Sequence, residues 1–225
     1  MSDSLSQLVK KLSYRFNDLQ LLGQALTHRS YGGENNERLE FLGDALLNTA
    51  ISSELFKRHP ELDEGALTRM RASLVNQNTL AAVANDIELG DYLCLGPGEL
   101  KSGGQRRSSI LADALEAILG AVYIDTGYAS VHFVVLHLFN SRLSSLVSSE
   151  LPKDSKTQLQ EALQARMLPL PIYTVESVSG QAHQQKFEVS CSVASLGINA
   201  RGIADSRRAA EQEAARHVLD SLPDA

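Results

Sequence analysis

The chain has 225 residues, of which 43% are hydrophobic and 21% charged, with no tryptophan and a formal net charge of −6. That size and make-up suit a globular protein with one medium and one small domain. They exclude a disulfide scaffold, and a strongly basic chain built to coat nucleic acid.

The N-terminus, MSDSLSQLVKKLSYRF, lacks the apolar core of a signal peptide. Residues 5–140 read as helix after helix, with apolar positions recurring at three- and four-residue steps over 39–56, 67–84 and 110–123. The most apolar stretch, 110–124, is interrupted by Asp113 and Glu116, so no membrane span is expected. Two cysteines, Cys94 and Cys191, lie far apart in the chain. They fit a reducing cytoplasm, and their number excludes a cysteine-based zinc site.

Between the second and third helical patterns lies GPGELKSGGQRR, residues 96–107. It is not a Walker A loop, because Leu100 stands where a glycine must precede Lys-Ser. Its glycines allow close backbone approach, and Lys101, Arg106 and Arg107 supply positive charge. From Ser141 the chain turns serine-rich and carries Pro152, the pattern of a helix running into a linker.

The last 70 or so residues differ in kind. A short helix is predicted over 157–166, with Asp154 or Ser155 as N-cap and Pro169 and Pro171 as its stop. Three strand patterns follow, IYTVESVS, KFEVSCSVAS and INARGIA, and a last helix runs from about Arg207 to Leu222. The fold class is therefore multidomain: an all-α N-terminal domain followed by a small α+β domain of order α-β-β-β-α.

The densest chemistry lies in two helices. Asn35 or Asn36 can cap the first, and Glu37, Glu40 and Asp44 then project from one face. In the second, Asp113 and Glu116 stand one turn apart in an otherwise apolar helix, where two carboxylates are costly unless paired or metal-bound. Set side by side, the helices bring Glu40, Asp44, Asp113 and Glu116 together. An all-carboxylate set suits Mg²⁺, with Mn²⁺ able to substitute, better than zinc. Neither segment has the Glu-x-x-His pairs of a di-iron bundle. Local cations and metal-bound acids are the two ways in which an acidic chain can still meet nucleic acid.

NERLEFLGD at 36–44 matches the ribonuclease III signature without gap or mismatch. ALTHRSY (25–31), DEGALTRMRASLVN (63–76) and LKSGGQRRSSILADALEAILGAVYID (100–125) resemble the family's other blocks in the family's order. The resemblance spans nearly the whole chain. It implies a catalytic domain over 5–128, its C-terminal helix and a linker over 129–153, and a double-stranded-RNA-binding domain over 154–223. It implies catalytic roles for Glu40, Asp44, Asp113 and Glu116. Glu40, Asp113 and Glu116 would hold the metal, and Asp44 would position the hydrolytic water. Glu37 and Glu64 also fall in matching blocks, Glu37 either supporting the signature helix or reaching RNA, and Phe41 is either core or dimer contact. Lys101, Arg106 and Arg107 of the glycine-rich loop would contact the RNA backbone. His28 is read as structural.

The resemblance further implies an endoribonuclease acting on double-stranded RNA as a homodimer, each site cutting one strand and leaving short 3′ overhangs. Its substrates would be structured ribosomal RNA precursors and some messenger and transfer RNA transcripts. No small-molecule cofactor is expected.

Duplex RNA is read by shape, through phosphates and 2′-hydroxyls. Candidate contacts in the C-terminal domain are Gln158, Gln160 and Glu161 on its first helix and His183 in a strand-joining loop. Ser206, Arg207 and Arg208 open the last helix, where backbone N–H groups favour a phosphate. KTQLQEALQ, GQAHQQKFEVSCSV and SRRAAEQEAA resemble the double-stranded-RNA-binding domain. The chain departs from that pattern at GIADS, where Ala204 replaces a glycine and Asp205 adds negative charge. Over 154–225 there are seven Lys and Arg against nine Asp and Glu, so affinity must come from a few local contacts.

Overall fold

The computed structural model describes residues 3–146, 155–180 and 185–222. The chain forms two compact units, Met1–Leu151 and Pro152–Ala225.

The first unit is helical: α1 (Asp3–Lys11), α2 (Leu19–Ala25), α3 (Glu37–Arg58), α4 (Glu64–Val75), α5 (Gln77–Asp86), α6 (Pro97–Lys101), α7 (Ser108–Thr126) and α8 (Tyr128–Ser145). Its axis is α7, which buries a nearly unbroken run from Ile110 to Val122, with only Asp113 and Glu116 half-exposed in it. A helix apolar all round must be covered all round, and α2, α3, α5 and α8 pack against it. On α3, Leu39, Gly43, Leu47, Ala50, Ile51 and Leu55 form the buried stripe. Among the described residues no helix is long and apolar enough to cross a membrane.

The apolar periodicity over 67–84 predicts one helix, but the structure has two. Asn76 breaks the pattern with an extended backbone (φ −76°, ψ 156°). Its amide nitrogen donates to the carbonyls of Ala72 and Ser73 at 3.1 and 2.8 Å, while its oxygen accepts the N–H of Thr79 at 3.0 Å. One side chain thus closes α4 and opens α5, offering donor and acceptor to the two sets of unsatisfied backbone groups.

The second unit holds α9 (Ser155–Ala165), β1 (Ile172–Ser179), β2 (Lys186–Val193), β3 (Ile198–Ala204) and α10 (Arg207–Asp220). The strands pair antiparallel in the order β1-β2-β3, with a bulge between Val175 and Ser177. Leu159, Leu163, Cys191, Val193, Ala214, Ala215 and Val218 make its core. Gly202 lets β3 lie against α10, since a Cβ there would come within 2.3 Å of the Ala210 carbonyl oxygen. The predicted stop of α9 at Pro169 and Pro171 is corrected. Met167, left-handed at φ 55°, ends the helix before either proline. Met167 N–H donates to Gln164 O and Leu168 N–H to Leu163 O, both at 2.9 Å, a Schellman closure without glycine. Of the two candidate N-caps, Asp154 lies outside the described residues and Ser155 is already the first residue of the helix.

Candidate active site

The helix α3 begins where Asn35 Oδ1 accepts the Glu37 N–H at 3.0 Å. Asn36 takes the cap position with helical backbone angles and makes no side-chain cap bond. Glu37 and Glu40 then fall in the first turn, where the helix dipole favours negative charge. Two glycines set how closely α3 meets α7. A Cβ on Gly43 would lie 1.8 Å from the Glu116 carbonyl oxygen, and one on Gly120 would lie 2.2 Å from that of Leu39. Each helix therefore presses a glycine onto the other's backbone, and the acids beside that crossing are forced together.

One oxygen each from Glu40, Asp113 and Glu116 lies within 4.8 Å of the others, and all three residues are half-buried. Burial raises the Glu116 carboxyl most, with the charges of Asp44, Asp113 and Glu40 adding to it, to about 8. Burial likewise raises Glu40, reinforced by Asp113 and Glu37. Asp113 is raised by burial and drawn partly back by His28 and Arg29. Three half-buried carboxylates that repel one another are relieved by a shared cation, and an all-oxygen donor set suits a hard divalent ion. Asp44 is exposed at the edge of the cluster, where Asn48 Nδ2 donates to its Oδ1 at 2.8 Å.

A cleft of about 240 Å³ opens beside Glu40 and Asp113. Two ion pairs flank it, Arg29 with Glu37 at 3.4 Å and Arg107 with Glu99 at 2.9 Å. Arg107 therefore sits at the acid site, while Lys101 and Arg106 are exposed and do not line the cleft. His28 also lines it, although its sequence setting reads as structural; Arg29 and Glu99 carried no distinguishing signal. Glu64 lines a separate pocket with Leu55, Phe56 and Leu62, where Thr68 Oγ1 donates to it at 2.8 Å. Phe41 is not core in this chain: it is 83% exposed.

In the second unit, Gln160, Arg207 and Arg208 line one groove with Lys156. Gln160 and Glu161 are exposed and Gln158 is half-buried, while His183 lies outside the described residues. The Ser206 hydroxyl serves as N-cap of α10, accepting the Ala209 N–H at 3.2 Å. Arg207 Nε donates to Glu211 at 2.9 Å, and Lys156 Nζ meets the same carboxylate at 2.6 Å. The Lys156 hydrogen bond and that pairing hold Glu211 below its usual range despite burial. Asp205 is paired with Lys186 at 2.5 Å, so its charge is partly offset. Arg208 is exposed and has no ion-pair partner among the described residues.

The family profile Ribonuclease-III-like matches residues 18–143. The chain belongs to the ribonuclease III family. A profile for the double-stranded RNA binding motif matches residues 155–222. The chain is 50% identical to Ribonuclease 3 of Vibrio cholerae over 99% of both chains. It is 52% identical to Ribonuclease 3 of Chromobacterium violaceum over 96% of this chain and 92% of that one. Among solved structures, it is similar to the nuclease domain of ribonuclease III from Campylobacter jejuni. That likeness has 39% identity and a TM-score of 0.62, covering 65% of this chain and all of that one. A second structure of the Campylobacter domain, described for flexibility in a region involved in dimer formation, matches at 41% identity and a TM-score of 0.60, covering 61% and 96%.

For this ribonuclease III family member, the crowded carboxylates make stability depend on pH. Glu116 has a folded pKa near 8 against an ordinary value of 4.5, so the folded chain holds a proton that the unfolded chain has lost. The stabilisation from that proton is full below about pH 4.5 and disappears as pH rises through about 8. In excess chelator, the melting temperature is expected to fall across that window. Glu116→Gln should flatten the fall, and an equally steep fall in the variant would refute the assignment.

Proposed function

We propose that the chain is an endoribonuclease that hydrolyses phosphodiester bonds in double-stranded RNA, using Mg²⁺ held by Glu40, Asp113 and Glu116, with Mn²⁺ able to substitute. The observation that carries this reading is the convergence of those three carboxylates within 4.8 Å, in a chain that also bears a double-stranded RNA binding motif. When bound, the divalent ion supplies Lewis acidity, lowering the pKa of a water and neutralising charge on the phosphate. The protein's part is placement. Glu40, Asp113 and Glu116 form the ligand set, and Asp44, exposed and steadied by Asn48, accepts a hydrogen bond from the attacking water. A new P–O bond to the water oxygen forms as the bridging P–O bond breaks; the water gives up a proton to solvent, and the departing sugar oxygen takes one and leaves as a hydroxyl. Arg107, which lines the cleft, would meet the RNA backbone, with Lys101 and Arg106 on the exposed surface nearby in sequence.

The C-terminal groove adds the grip on the duplex through Gln160, Arg207 and Arg208, with Gln158, Glu161, Ser206 and His183 as further contacts. Arg207 shares Glu211 with Lys156, so Arg208 has the more available charge. Arg208→Ala is expected to weaken duplex binding and to lower the salt slope by about 1. Arg207→Ala should change that slope less. A larger effect from Arg207, read from binding isotherms over a salt series, would reverse that ranking.

Function as a homodimer is supported by Phe41, an aromatic ring 83% exposed beside Glu40 on α3. A ring this exposed would gain by burial against a second copy of the chain. The setting is the cytoplasm, and the substrates are structured ribosomal RNA precursors and some messenger and transfer RNA transcripts. If each protomer cuts one strand, double cuts leave short 3′ overhangs, and mixed dimers of native and Glu116→Gln chains nick one strand. Complete double cuts from purified mixed dimers would refute the two-site reading.

A further inference from the structure

The turn that carries His28 is clamped at the acid cleft. Cys94 N–H donates to Leu26 O at 2.9 Å, and His28 N–H donates back to Cys94 O at 3.0 Å. Two residues on, Gly96 N–H donates to Ser30 Oγ at 2.9 Å. Gly96 packs so closely there that an added Cβ would lie 2.1 Å from the Ser30 carbonyl oxygen. Ser30 in turn holds the histidine ring. Its backbone N–H donates to His28 Nδ1 at 3.2 Å, and its Oγ lies 2.8 Å from the same atom.

A ring nitrogen that receives a backbone N–H must present its lone pair, so the neutral ring carries its proton on Nε2. The ring lines the cleft with Glu40 and Asp113, and its Nε2 has no hydrogen-bond partner among the described residues. Asn36 lines the same cleft, 3% exposed, with an Nδ2 that also lacks a partner among the described residues. Two donors at the cleft, His28 Nε2 and Asn36 Nδ2, are thus without an acceptor among the described residues, and a phosphate oxygen is an acceptor.

Resting on the reading that this cleft is the cutting site, we propose that His28 contacts the substrate. Its Nε2–H donates to a non-bridging phosphate oxygen of the RNA, and Ser30 and Gly96 are positioning residues that set the ring and its tautomer.

Single-turnover cutting of a long, perfectly paired RNA duplex in Mg²⁺ tests this. His28→Asn keeps an oxygen to accept the Ser30 N–H, so it preserves the turn while removing the donor at Nε2. His28→Gln restores an N–H donor at about the reach of Nε2. The expected result is a loss of about 10²-fold in the cutting step for His28→Asn. Duplex affinity without divalent ion should stay within about twofold of native, and His28→Gln should recover about tenfold or more of the loss. Ser30→Ala should slow cutting in the native background and change nothing further in His28→Asn, because it acts through the ring. Native-rate cutting by His28→Asn, better cutting by the Asn variant than by the Gln variant, or an equal Ser30→Ala cost in both backgrounds would overturn the proposal. A native chain that fails to cut, or a Glu116→Gln chain that cuts, would instead overturn the reading of the cleft on which it rests.

Discussion

Replacing Glu116 with glutamine is expected to slow the cutting of duplex RNA by about 10³-fold or more while leaving duplex binding nearly unchanged. Of the acids in the cluster, Glu116 is the one pushed highest, to about 8, first by burial and then by the charges of Asp44, Asp113 and Glu40. Its environment therefore resists the very charge that the proposed cation needs. Glutamine keeps the shape and an oxygen but removes that charge. The metal-free variant should melt higher than the native chain near pH 8, and the rise in melting temperature caused by Mg²⁺ should shrink. Activity and metal-free stability thus move in opposite directions, as they do when a site is strained for function. A variant that loses both would point to ordinary misfolding, and one that keeps cutting would remove Glu116 from the chemistry.

Gly43→Ala is expected to be as damaging, for a mechanical reason. The new methyl group would start 1.8 Å from the Glu116 carbonyl oxygen and 2.5 Å from its carbon, both backbone atoms of a fully packed helix. No side-chain rotation relieves that clash, so α3 and α7 must separate. Alanine gains about 1 kcal/mol of helix propensity, but overpacking of this kind costs about 3 kcal/mol or more. The first unit should melt about 10 °C lower by thermal denaturation. Cutting should fall further than stability explains, because moving the helices apart separates Glu40 from Glu116, and a shift of about 1 Å can cost about 10²-fold in rate. Gly23→Ala is the control. Nothing lies within 4 Å of a Cβ at that position in α2, so it should stabilise by about 0.5–1 kcal/mol. Equal behaviour of the two variants would show that the α3–α7 crossing does not require its glycine.

Much of this arrangement is legible in the chain as written. Steps of three and four place Glu37, Glu40 and Asp44 on one face of α3, and two acids in an apolar helix announce an unusual site at Asp113 and Glu116. The α-β-β-β-α order of the second unit follows from its alternating strands and the Ser206 cap. The remainder depends on contacts between distant segments. Asn76 interrupts a periodic apolar run that continues on both sides, so periodicity alone cannot place the break. Gly43 and Gly120 look like mere costs to their helices until each meets the other helix's backbone. His28 comes to the cleft only because residues 26–30 pair with residues 94–96, far along the chain. The Arg207–Glu211 pair is spaced one helical turn apart and could have been read, whereas Lys156 reaches Glu211 from another helix. Met167 takes a left-handed cap that sequence patterns assign to glycine.

Cutting of a long, perfectly paired RNA duplex by the native chain, in Mg²⁺ and in excess chelator, tests whether the three carboxylates serve a metal-dependent nuclease. Cutting to short duplexes in Mg²⁺, abolished by chelator while the chain still binds the duplex, is the predicted result. Binding without cutting in Mg²⁺, or undiminished cutting in chelator, would contradict the assignment of Glu40, Asp113 and Glu116 as a metal-dependent nuclease site.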